Sequence, residues 1–343
     1  MQLIKDVLWN SDQRRLRALW RLIGQLLILL VVVILIEGAV GTLAFGILVA
    51  REDISPEQLS DPAVVQQFIM ENPLPMMLSY LGLALSMAIS IWLAGRFLDR
   101  RPFADFGFRL DRDWWIDFGF GLVLGGVLML IIFVVELAAG WVTVTGTLVT
   151  RDPDTSFVAA ILVPLTAFLA VGFYEELFSR GYQLQNLAEG LRWNMISPQA
   201  AIVIATLLSS AVFGALHAGN PNASLFSTLN IVFAGVLLAM GYLLTAELAI
   251  PIALHITWNF FQGNVFGFPV SGADFRSATF IGIEQGGPDL WTGGAFGPEA
   301  GLLGLGAMIL GILLTLLWVR WRHGRVGLDL SLAKPPRSRE EVA

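Results

Sequence analysis

The chain has 343 residues, 56% of them hydrophobic and only 14% charged, with a mean hydropathy of +0.71. Soluble domains carry about a quarter charged residues, so this composition is that of an integral membrane protein. The net charge of −6 says little, because in a membrane protein the distribution of Lys and Arg matters more than the sum. The lack of cysteine excludes disulfides, thiolate metal sites and cysteine nucleophiles, and the three histidines (His217, His255, His323) leave few places for metal or acid–base chemistry.

Residues 1–20 interleave Leu3, Ile4, Val7, Leu8, Leu16, Leu19 and Trp20 with charges, as an interfacial amphipathic helix or a free tail would. The first apolar run is long and begins after residue 21, unlike the short core of a signal peptide, so Arg14, Arg15, Arg17 and Arg21 are expected to form a cytoplasmic anchor. A hydrocarbon core of about 30 Å needs about 20 apolar residues in a helix. That ruler predicts spans at roughly 22–49, 75–95, 115–140, 157–186, 199–218, 226–244, 249–267 and 300–320. The polar stretch 51–74 is expected to hold a short surface helix. The Gly- and Pro-rich stretch 268–299 reads as an irregular loop that, with Trp291, is able to cap the bundle. Gly121–Gly126 and Gly301–Gly306 lie inside apolar spans and suit close helix packing better than phosphate binding.

Threading these spans places 17 Lys and Arg in one set of loops and only Arg51, Arg151 and Arg276 in the other, with Arg180 left aside. Both termini are therefore expected in the cytoplasm and loops 51–74 and 268–299 outside. The predicted organisation is a cytoplasmic segment 1–21, a single transmembrane domain 22–320 and a disordered cytoplasmic tail 321–343. The expected fold is an all-α polytopic membrane protein, a bundle of about eight transmembrane helices around an intramembrane polar cavity, in a membrane that is expected to be a prokaryotic plasma membrane.

Span four carries Glu175, Glu176 and Arg180 behind the apolar run from Phe157. Charges at that depth are costly and mark function by default. Glu176 and Arg180 are four apart and share a helix face, whereas Glu175 points about 100° away. A buried ion-pair network that only ties helices together is the plain structural alternative. Span five ends at His217 after Phe213, and span seven carries His255 and Asn259 at i and i+4, able to converge on one oxygen atom. A histidine near a membrane helix end is more often a packing residue, but two of three within apolar spans beside a Glu pair argue otherwise. Glu37 and Glu136 also fall within spans and receive no role.

Glu175-Glu176-x-x-x-Arg180, Phe213-x-x-x-His217 and His255-x-x-x-Asn259, in that order and each in its own span, resemble the CAAX-protease and bacteriocin-processing (CPBP) family of intramembrane proteases, related to the type II CAAX prenyl endopeptidase. The similarity covers about residues 155–265, with Phe178, Gly181, Gly235 and Gly241 included. It implies that Glu175 is the general base that activates a water, with His217 polarising that water. Glu176 and Arg180 would be the supporting pair, and His255 and Asn259 the oxyanion stabilisers. Phe213, Phe178 and Tyr182 would line or pack the substrate site. Glu175, His217 and His255 also form a set able to hold zinc with an open fourth position. A water held directly between Glu175 and His217 serves as well, and no metal is expected to be obligatory.

The implied function is hydrolysis of a peptide bond in a membrane-associated peptide or protein C-terminal segment, with the lipid bilayer as medium and no nucleic acid partner. Two other classes fit a polar cluster in a bundle. One is a non-catalytic scaffold, immunity or partner-stabilising protein, and the other a proton-relay transporter, for which related halves or broken helices are not evident. Depth poses one difficulty. Counted inward from Phe157, Glu175 lies about 27 Å along its helix, in the same half as His255, whereas His217 falls at the far end of its span. A shared site then requires span five to protrude on the cytoplasmic side, with 218–225 as a recessed turn.

Overall fold

The computed structural model describes residues 7–11, 13–50, 61–192 and 195–336. Seven helices in it are long and apolar enough to cross a membrane. These are α1 (Ala18–Ala50), α3 (Pro73–Asp99), α4 (Arg112–Ala138), α5 (Phe157–Gly190), α6 (Pro198–His217), α7 (Leu225–Thr245) and α9 (Leu302–His323). A surface helix α2 (Pro62–Glu71) precedes α3, and α8 (Ala249–Phe260) lies between α7 and α9. The fold is an all-α polytopic membrane fold. The helix starts follow from side-chain caps: Asp111 accepts from the Trp114 amide at 2.8 Å, and Ser156, Ser197 and Ser224 cap α5, α6 and α7.

The expected span at 249–267 takes a different form. Only Ala249–Phe260 is α-helix, continued by a π-helical turn over Phe261–Val265, which is too short to count among the crossing helices. Nearly every residue of α8 is buried, from Ala249 to Ile256 and again at Trp258 and Asn259. A helix that is apolar all round belongs at the centre of a bundle, and α8 is wedged between α4 and α5. Glycines set that contact. A Cβ on Gly121 would lie 2.6 Å from the Ile250 carbonyl, one on Gly125 2.3 Å from Thr257 Oγ1, and one on Gly172 2.6 Å from Ile256 Cγ1. The packing reading of the Gly121–Gly126 stretch therefore agrees with the geometry.

At the end of the bundle that carries the termini, residues 7 and 8 are helical, and a small hairpin follows, β1 (Trp9–Asn10) paired antiparallel with β2 (Arg15–Leu16); residues 1–6 and 12 lie outside the description. Of the four arginines expected to form a cytoplasmic anchor, Arg15 and Arg21 are buried. They share Glu189 with Arg101, Arg21 reaches Asp99 at 2.6 Å, and the Tyr182 hydroxyl donates to Asp99 at 2.8 Å. Neither is the tail free: Leu332 and Ala333 are buried, the Asp329 amide bonds the Leu243 carbonyl at 2.8 Å, and Arg101 donates to the Lys334 carbonyl. Residues 337–343 lie outside the description.

At the opposite face, 268–299 is not wholly irregular. It holds β4 (Ala278–Gln285), paired antiparallel with β3 (Val142–Thr150) across a bulge at Val144–Gly146. Trp291 stays 45% exposed, so the burial of this face falls to Phe268, Val270 and Phe296. The surface helix expected in 51–74 is α2; residues 51–60 lie outside the description.

Substituting Gly125 by Val drives a branched side chain into the α8 backbone and is expected to lower stability by about 1–3 kcal/mol, read from thermal unfolding in detergent against wild type. Val at Gly119, where a Cβ meets nothing within 4 Å, is the control and leaves the midpoint unchanged.

Candidate functional site

Helix α5 is α-helical to Glu176, widens into a π-helix over Leu177–Leu184 and returns to α over Gln185–Gly190. Such departures cluster at functional sites, because they re-aim the side chains around them. Glu175 and Glu176 close the α-helical part just before this change, and they face different ways. Glu176 is wholly buried, and its Oε1 accepts from Arg180 Nη1 at 2.8 Å and from His255 Nδ1 at 2.8 Å. Arg180, also buried, donates its other arm to the Gly235 carbonyl at 3.0 Å and lies 4.6 Å over the Phe213 ring. Glu175 faces a cavity with its side chain 22% exposed. Its Oε2 has no hydrogen-bond partner and lies 3.9 Å from His255 Nε2.

His255 thus stands between two carboxylates. With its Nδ1–H given to Glu176, its ring is fixed and its Nε2 is presented towards Glu175 and the cavity. Asn259, one turn further along α8, lines the same cavity and makes no hydrogen bond among the described residues.

His217 is the last residue of α6. Its Nδ1 bonds the Phe213 carbonyl at 2.8 Å, which leaves Nε2 as the free acceptor. The depth difficulty has a local answer. Ser209 Oγ donates to the Ser179 carbonyl at 2.8 Å, so these two residues lie side by side on α6 and α5. From there Glu175 is four residues along α5, about 6 Å, and His217 eight residues along α6 in the same direction, about 12 Å. Phe213 bridges the remainder, its ring centroid 4.7 Å from that of His217 and 6.2 Å from that of His255.

Glu175, Phe178, Phe213, His217, His255 and Asn259 all line one cavity of about 680 Å³. Glu176 and Arg180 stand behind it. Tyr182 is placed elsewhere: it is fully buried in the arginine cluster at the terminal face, hydrogen-bonded to Asp99 and the Arg21 carbonyl, and does not touch the cavity. The cavity's apolar lining includes Leu26 and Leu29 of α1 and Val212 and Leu216 of α6. Towards the β3–β4 face it turns polar, with Asn220, Ser271 and Glu299. Glu299 was not singled out in the sequence, since it sits in a stretch read as loop. The available signal was a carboxylate directly before the apolar run of α9.

Among the described residues no three His, Asp or Glu side chains are grouped to hold a metal ion, although the Nδ1 bonds of His255 and His217 leave Nε2 of each ring free.

Fold and site together define a class, a multi-pass membrane protein with a polar cavity built inside its helix bundle. Residues 157–261 match the model of the family described as type II CAAX prenyl endopeptidase Rce1-like. The matched segment is consistent with the CAAX-protease and bacteriocin-processing resemblance and contains every residue of the Glu-Glu-Arg, Phe-His and His-Asn motifs. No curated protein and no solved structure matches the chain.

Glu176→Gln leaves the Arg180 guanidinium buried without its counter-charge and is expected to cost about 3–5 kcal/mol of stability. Glu175→Gln, at a carboxylate with no bonded partner, is expected to change stability by less than about 1 kcal/mol. Unfolding of the two detergent-solubilised variants, followed by tryptophan fluorescence, separates them.

Proposed function

We propose that the protein is a CAAX-type intramembrane endopeptidase that hydrolyses a peptide bond in a membrane-associated peptide or protein C-terminal segment. One observation carries the reading: the unbonded Glu175 carboxylate, the His255 Nε2 and the unpartnered Asn259 carboxamide face the same cavity within an apolar bundle. Glu175 takes a proton from a water whose other hydrogen points to His217 Nε2. The resulting hydroxide attacks the scissile carbonyl, and Glu175 returns the proton to the amine that leaves. Asn259 Nδ2 donates to the oxyanion, joined by His255 Nε2 when that ring carries a proton on both nitrogens. Glu176, held by Arg180, fixes the His255 ring by its far nitrogen, as a carboxylate orients the histidine of a hydrolytic triad. The apolar wall of Leu26, Leu29, Val212 and Leu216 suits a substrate segment that is lipidated or itself apolar.

The distribution of Lys and Arg supports cytoplasmic termini and a site open to substrates from the cytoplasmic side of a prokaryotic plasma membrane. No metal enters the reaction as written, and activity is expected to survive a chelator.

The direct test compares membrane-protein C-termini in cells carrying wild-type protein or Glu175→Gln. Fragments present with wild type and lost with the variant support hydrolysis. A phenotype that survives Glu175→Gln places the protein among non-catalytic scaffolds or partner-stabilising proteins instead. On an internally quenched, farnesylated CAAX peptide, Asn259→Ala is expected to lower kcat by about 10²–10³-fold, the loss typical of one oxyanion donor.

A further inference from the structure

Glu299 is the second carboxylate of the cavity, and it lies outside the family-matched segment. It belongs to the 3-10 turn Pro298–Ala300 ahead of α9 and is 3% exposed. No cation approaches it among the described residues, and burial pushes its pKa up to about 7. A carboxylate kept dry without a counter-charge is a net cost to the fold, offset only by what it holds in place.

What it holds are the two halves of the site. Its Oε1 accepts from the Ser271 amide and from Ser271 Oγ at 3.2 Å, and its Oε2 accepts from Gln262 Nε2. Gln262 lies on the π-helical continuation of α8, three residues after Asn259, and also donates to the Pro269 carbonyl at 2.6 Å. Ser271 sits at φ +48°, a strained conformation for a residue with a side chain, and its carbonyl accepts from Asn220 Nδ2 at 2.9 Å. Asn220 lies in the turn that follows His217, its amide bonded to the His217 carbonyl at 3.1 Å. The loop is seated closely on that turn: a Cβ on Gly272 would lie 1.8 Å from the Pro221 carbonyl oxygen. An unbroken chain of hydrogen bonds therefore runs from Gln262 through Glu299 and Ser271 to Asn220 and His217.

We propose that Glu299 is a positioning residue, which fixes the turn after His217 to the helix that carries His255 and Asn259 and closes the β3–β4 end of the cavity. As a statement about catalysis this rests on the hydrolytic reading above; as a statement about closure it does not. Glu299 touches no reacting atom. Its removal lets the two histidines drift apart and the loop 268–273 lift.

The native chain has no cysteine, so a single Ala234→Cys on the cavity wall gives a background-free reporter. The full-length protein in phosphatidylcholine vesicles is labelled with a membrane-impermeant maleimide. Adding Glu299→Gln, which sets an amide nitrogen against that of Gln262, is expected to raise the labelling rate about tenfold, as is adding Asn220→Ala. Asn220→Ala keeps Glu299 and its buried bonds, so it tests the chain even if Glu299→Gln fails to fold. An unchanged labelling rate in the folded variants overturns the proposal.

The second arm measures turnover of the quenched, farnesylated CAAX peptide. Each variant is expected to lower kcat about tenfold with KM unchanged within about twofold, and the double variant to fall no further than Glu299→Gln alone. Losses that multiply in the double variant, or that appear only in KM, overturn it. If wild type leaves that peptide intact while labelling responds as expected, closure by Glu299 stands and the hydrolytic reading fails on this substrate.

Discussion

A single oxygen atom organises the interior. Glu176 Oε1 serves Arg180 and His255 at once, each at 2.8 Å, and both partners are buried with it. In a hydrocarbon surrounding, an ion pair of this kind is tolerated only when its remaining donors also find acceptors. Arg180 meets that demand by reaching the Gly235 carbonyl of α7 and lying on the Phe213 ring of α6. Four helices, α5 to α8, are thereby fixed by one charged pair. The backbone approach this needs explains Gly235, where a Cβ would come within 2.9 Å of the Ser210 side chain.

The same constraint divides labour between adjacent glutamates. Glu176 spends its charge on structure, with no exposure, whereas Glu175 keeps an unbonded oxygen at the cavity. In the hydrolysis proposed above, a base must be able to exchange a proton with a guest in the cavity, and a positioning carboxylate must not. Neighbouring side chains on a helix diverge by about 100°, which suffices to put one on each side of the wall. The cavity repeats this division on a larger scale: much of its lining is apolar, and its polar end is tied shut by hydrogen bonds.

Local spacing made much of this legible in the sequence. Glu176 with Arg180, and His255 with Asn259, are i and i+4 pairs whose common faces follow from helix geometry alone, and the glycines of α4 announced a close neighbour. What failed was whatever depended on another element. His217 looked too far from Glu175 because the register of α6 against α5 is set by Ser209 and Ser179, which no pattern within either helix reveals. The alternating Val142-Thr143-Val144-Thr145 run is a strand signal of period two, yet it lies outside the spans a hydropathy ruler counts. Arg15 and Arg21 looked like cytoplasmic anchors because their acceptors, Asp99 and Glu189, lie far along the chain. Glu299 escaped for the same reason, since its role exists only where three separate segments meet.

That distance along the chain has a consequence in time. The cluster at the terminal face joins Arg15 and Arg21 to Asp99 and Arg101, then to Glu189, and finally to the main chain at Lys334. A ribosome delivers these parts in that order. Two buried arginines wait for the first acid until α3 has been made, and Arg101 meets its last acceptor only after α9 has been made. Until Glu189 has been made, the nascent bundle carries excess positive charge at its terminal face.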